Sequence, residues 1–141
     1  MHDNVVVKQR VNAPVEKVCS AITDTAQMKE WYFDIPDFKA EPHTEFAFWG
    51  GSEDQQYHHH GEVLEVIPHQ KLKHTWAYPE ISKEKTLVRW ELESDGDGTV
   101  VTLTHKGIEN FNHLGQDFQH NSFEEGWKDI VGRSLKEYVE K

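Results

Sequence analysis

Few residues of this 141-residue chain could do chemistry, and ten histidines and one cysteine head them. His105 shares an alternating face with Val101 and Leu103. Turned inward as a neutral imidazole, it could hydrogen-bond a ligand carboxylate or hydroxyl, or act as a general base. Simple satisfaction by a neighbouring backbone group is the plainer expectation. His74 shares a face with Leu72, Trp76 and Tyr78 and is read the same way. In His58-His59-His60, alternation sends His58 and His60 to one side and His59 to the other. Two imidazoles at i and i+2 can chelate Zn²⁺ or Ni²⁺, but a structural site needs four ligands and a catalytic one normally three. Asp54 or Glu62 could help, yet no HExxH spacing exists, so a solvated strand face and no metal are expected. Cys19 adjoins the apolar face of a helix, where a small buried residue explains it. No internal disulfide or Cys-rich zinc site can form from one cysteine. There is no GxSxG elbow and no Gly-rich phosphate loop. Glu16, Asp24, Asp34 and Asp37 fall at helix ends and loops, where capping and solvation account for them. An enzyme would need His105 as base beside Glu65 or Glu91, and alternation places Glu91 opposite Trp90. No catalytic residue and no cofactor is therefore assigned.

The elements that must position these groups follow from periodicity. Val5, Val7 and Val11 lie on one face of a first strand. Pro14 suits a first helical position, with Asn12 or Ala13 as cap, and Val15, Val18, Cys19 and Ile22 then recur at helical spacing. Thr23-Asp24 reads as a stop and a new cap, with a short helix from Ala26 to Trp31. Thereafter the period is two. Phe46 and Phe48 precede Gly50-Gly51; Tyr57 to Ile67 is a long strand ending at Pro68. Leu72, His74, Trp76 and Tyr78 share a face, as do Val88, Trp90 and Leu92. Asp95-Gly96-Asp97-Gly98 is a turn before Thr99 to His105. These runs read as an antiparallel meander with one wet face. Residues 110–120 read as an irregular flap. Ser122 to Glu140 reads as a long helix, with Ser122 and Glu125 in capping-box spacing. Its stripe is Phe123, Trp127, Ile130, Val131, Leu135 and Val139.

Composition narrows the function classes. Net charge is −10, which repels phosphate backbones and argues against nucleic acid. The polar start and the lack of an apolar run of roughly 18 residues argue against a leader and against integral membrane association. A cytoplasmic, single domain spanning 1–141 is expected. Seven Phe, five Trp and four Tyr indicate a ring-rich interior or cavity lining. Alternation turns Phe46, Phe48, Trp76, Trp90, Leu103 and His105 inward. The last helix adds Phe123, Trp127 and Ile130, Trp31 and Phe33 form a rim, and Tyr78 or His105 orients the guest. The same rings could instead fill a solid core.

Ala13-Pro14-Val15-Glu16-Lys17-Val18, Ala21-Ile22-Thr23-Asp24 and Trp31 resemble the opening of the START-like (SRPBCC, helix-grip) superfamily. The match continues through Phe46, Gly50-Gly51, Gly61-Glu62-Val63-Leu64-Glu65-Val66, Pro68, Leu72, Thr75-Trp76, Gly98-Thr99, Leu103-Thr104-His105 and Trp127. In combination it is similar to the activator of Hsp-ninety ATPase homologue-like branch. The resemblance implies an α+β helix-grip fold: a curved antiparallel sheet of about six strands around a long C-terminal helix, two short helices after the first strand, and a cavity between. It implies binding of a small apolar or amphipathic molecule, such as a lipid, in that cavity. It also implies an alternative, a stress-related, co-chaperone-like module whose partner is a chaperone or other protein, working through the acidic surface and Trp49-Gly50-Gly51. Co-chaperones of that branch carry an extra N-terminal domain. This sequence starts at the first strand, which counts against a chaperone-activating role.

Overall fold

The computed structural model describes residues 4–51 and 55–141. Strand β1 (Val5–Val11) leads into helices α1 (Val15–Thr23) and α2 (Thr25–Trp31). Five strands follow: β2 (Glu45–Gly51), β3 (Gln56–Ile67), β4 (Lys71–Ala77), β5 (Lys85–Asp95) and β6 (Gly98–Lys106). Two 3-10 turns, Ile108–Leu114 and Gln116–Phe118, precede the C-terminal helix. That helix runs as α3 (His120–Asp129), a π-helical segment (Ile130–Leu135) and α4 (Lys136–Val139).

The strands form one antiparallel sheet in the order β1-β6-β5-β4-β3-β2. Period-two patterning sets which face is dry. Val5, Val7, Val88, Trp90, Val101 and Leu103 are buried beneath the C-terminal helix, which turns Phe123, Trp127, Val131, Leu135 and Val139 onto them. This is the α+β helix-grip arrangement. A register shift between Val63 and Glu65 bends β3 where it pairs with β4; a bulge of this kind increases local twist and curvature. Gly96, with φ of 61°, makes the tight connection from β5 to β6 that the Asp-Gly-Asp-Gly run predicts.

Helix starts differ from the sequence reading in detail. Pro14 is extended and precedes α1, and neither Asn12 nor Ala13 caps it. Asp24 does cap α2, its carboxylate accepting from the Ala26 N–H at 3.2 Å. The last helix begins at His120 rather than Ser122, whose hydroxyl donates to the Gln116 carbonyl at 2.9 Å instead of closing a capping box. Residues 110–120 are not structureless. Phe111 and Phe118 are buried and pin the 3-10 turns to the core. Among the described residues, no helix is long and apolar enough to cross a membrane.

Candidate functional site

One end of the sheet stays open against α3, leaving a cleft of about 450 Å³. Tyr57 and His59 of β3, Trp76 of β4 and Tyr78 just beyond it form its sheet wall. Phe123, Trp127 and Ile130 form its helical wall, because residues three, four and seven apart share one helix face. Phe33 closes a third side by lying flat on β2: a Cβ on Gly50 would come within 2.7 Å of its ring. Gly126 sits between Phe123 and Trp127, and a Cβ there would meet nothing within 4 Å. Glycine in a helix interior costs about 1 kcal/mol relative to alanine. No crowding at Gly126 explains it; the residue is exposed and leaves open space along the helical edge of the cleft.

The polar groups of the cleft are sparse and uncharged inside. His59 is only 6% exposed and stacks on Phe48, centroids 4.6 Å apart. Its Nδ1–H donates to the Tyr57 carbonyl at 2.9 Å, since a carbonyl can only accept. Burial lowers its pKa from 6.5 to about 4, outweighing the backbone at Tyr57 and Phe48, which favours the charged form, so the ring is neutral. The Tyr78 hydroxyl accepts the Trp76 indole N–H at 2.9 Å, and burial raises its pKa. At the mouth, the Tyr57 hydroxyl donates to Asp117 at 2.8 Å, tying β3 to the second 3-10 turn.

His105 lies elsewhere. It is fully buried, and both nitrogens are taken: the Trp127 indole N–H donates to Nδ1 at 3.1 Å, and Nε2–H donates to the Thr86 hydroxyl at 2.7 Å. Thr86 passes its own hydrogen to the Trp76 carbonyl at 2.9 Å. Burial, and secondarily His74, lowers its pKa to about 3. The two carboxylates considered as its partners are paired on the outer face, Glu65 with Lys71 and Glu91 with Arg89, both at 3.1 Å. This imidazole therefore has no free lone pair for base catalysis and none to offer a guest.

Of the twelve residues read as ligand-facing, the structure brings six to the cleft: Phe33, Trp76, Tyr78, Phe123, Trp127 and Ile130. The other six sit in packed interior. Trp31 donates its indole N–H to the Ala21 carbonyl at 2.9 Å, and Phe46 and Trp90 line with it a void of about 10 Å³, room for one water at most. Phe48 backs His59, while Leu103 and His105 are fully buried. His59, read as part of a solvated strand face, is, with Tyr57, a wall residue the sequence reasoning missed. Its parity with Gly61 and Val63, which share the dry face of β3, is the signal. Among the described residues no three His, Cys, Asp or Glu side chains gather as a metal set, and Asp54 lies outside those residues.

A family model described as Activator of Hsp90 ATPase homolog 1-like protein matches residues 12–140. No curated protein matches the sequence. Among solved structures, CalU16 from Micromonospora echinospora superposes with a TM-score of 0.73 at 23% identity, covering 98% of this chain and 74% of that one. DynU16, from the dynemicin biosynthetic locus, gives 0.80 at 24% identity over 99% of this chain, which spans about half (48%) of that protein. MLL2253 from Mesorhizobium loti gives 0.77 at 23% identity, covering 97% and 96%. At these identities the likeness is one of fold.

Proposed function

The chain belongs to the Activator of Hsp90 ATPase homolog 1-like family, and from that footing we propose that it binds a small apolar or amphipathic molecule in the cleft between sheet and C-terminal helix, as a single cytoplasmic domain. The observation that carries this reading is the cleft itself: about 450 Å³, walled by aromatic rings, and edged by an exposed helical glycine with open space beside it. Ligand pockets have this size and make-up. Burial of the guest's apolar surface would supply roughly 25 cal/mol per Å² before ordering costs.

Trp76 and Trp127 line the cleft, so a bound guest should change tryptophan fluorescence and raise the melting temperature by several degrees at saturation. Gly126→Leu supplies the control. A leucine at this edge obstructs the opening and adds helix propensity, so the apo protein should melt at the same temperature or higher while the ligand response weakens. An unchanged response in that variant, or no response to a broad panel of apolar compounds, would count against the reading.

A second reading, docking on a partner protein, is favoured by Trp49. This indole is 56% exposed on the outer face of β2, beside His58 at 5.0 Å. Stimulation of Hsp90 ATPase by the intact chain, lost on Trp49→Ala, would support that reading. A cavity enzyme using His105 as base is opposed by the two hydrogen bonds that occupy its ring.

A further inference from the structure

We propose that the cleft selects an uncharged ring-bearing alcohol or phenol, whose hydroxyl donates to His59 Nε2 and accepts from the Tyr78 O–H. This rests on the reading of the cleft as a ligand site and names the chemistry of its guest. The His59 Nδ1–H is committed to the Tyr57 carbonyl, which leaves Nε2 as a lone-pair acceptor with no protein partner among the described residues. Tyr78 is the complement. Its oxygen accepts from Trp76, and its own hydrogen has no acceptor among the described residues. The two rings lie 4.8 Å apart, centroid to centroid, and both line the cleft. One acceptor and one donor on neighbouring rings fit a hydroxyl, which is both at once.

Charge excludes the obvious rivals. The described lining holds no Lys or Arg, His59 is neutral, and the one carboxylate, Asp117, sits at the mouth of a chain of net charge −10. A fatty-acid carboxylate or a phosphate head would enter this cleft without a counter-ion, at a large desolvation cost. An ammonium guest would seek Asp117 at the mouth, whose carboxylate accepts the Tyr57 hydroxyl, in preference to the His59–Tyr78 pair. Flatness is favoured by the aromatic walls.

The test uses the intact chain and four probes with one skeleton: naphthalene, 2-naphthol, 2-naphthoate and 2-naphthylmethylammonium, followed by tryptophan fluorescence at pH 7.5. We expect 2-naphthol to bind about tenfold more tightly than naphthalene, with naphthoate weakest. His59→Phe keeps a ring to stack on Phe48 and should reduce naphthol to the level of naphthalene while leaving naphthalene within about twofold. In the unmodified protein, the His59 Nε2 nitrogen resonance should move with naphthol and not with naphthalene. Equal binding of naphthol and naphthalene, or tightest binding of naphthoate or the ammonium probe, would overturn the proposal and leave the apolar cleft standing. Failure of all four probes to bind would overturn the proposal and the ligand-site reading together.

Discussion

At the scale of single residues, two inward histidines with similar surroundings do different things because their hydrogen bonds are spent differently. His105 is the middle link of a closed relay from the Trp127 indole through Thr86 to the Trp76 carbonyl. Every polar hydrogen in it has an acceptor, so the relay fastens the C-terminal helix to β4, β5 and β6. Thr86→Val keeps the shape but leaves the Nε2–H buried without a partner. We expect a loss of about 1–3 kcal/mol in urea unfolding, with naphthol affinity unchanged. A loss within error would mean the relay contributes nothing to stability. His59 spends only one of its nitrogens on the protein. Alternation made the inward direction of His105 legible, but it could not show that Trp127 and Thr86 would close on it from elements distant in sequence. For His59 the run of three histidines suggested a wet face, although Val63 on the same parity pointed inward. Which rings would line the opening and which would be sealed was beyond reading, because that depends on how far the helix stands from each strand.

At the scale of elements, the C-terminal helix carries a feature written in its spacing. Its buried residues are Phe123, Trp127, Val131, Leu135 and Val139, one every four positions. An α-helix turns about 100° per residue, so steps of four drift about 40° each and would rotate the stripe about 160° over its length. The wider π-helical segment from Ile130 to Leu135 absorbs much of that drift and keeps the stripe on the sheet. Deleting Gly132 would give the stripe the 4-4-3-4 spacing of an ordinary amphipathic helix. We expect this deletion to fold, with full helical circular dichroism and a stability loss below about 2 kcal/mol, whereas one alanine inserted after Gly132 should be far more damaging. Equal damage from both would show that the π segment does not set the register. The strands were legible from period two, and the α2 cap from Asp24. The β3 bulge and the 3-10 turns were not, since neither has a local residue signature; packing of Phe111 and Phe118 against the core decides the latter.

At the scale of the whole molecule, three imidazoles are buried among the described residues, and this sets the response to acid. Burial lowers His59 and His74 to about 4 and His105 to about 3. The unfolded chain, with ordinary values near 6.5, binds more protons between those limits. Stability from keeping these rings neutral is therefore complete above pH 6.5 and is lost as pH falls toward 4 and then 3. At pH 5 each ring accounts for a loss on the order of 2 kcal/mol, so three together rival the total stability of a typical domain, about 5–15 kcal/mol. The surface acts in the opposite sense. Approaching the isoelectric point of about 5.4 relieves the mutual repulsion behind a net charge of −10. That repulsion is spread over exposed groups and screened by salt, whereas desolvation of buried rings is not. The burial effect should win. Urea unfolding should show stability falling steeply from pH 6.5 to 4.5, with nearly the same slope in 0.05 M and 0.5 M salt. His74→Phe, which keeps an aromatic ring facing Phe46, should remove about a third of that slope. A flat profile over this interval, or a slope that salt abolishes, would show that surface charge rather than the buried histidines governs the acid limit of the fold.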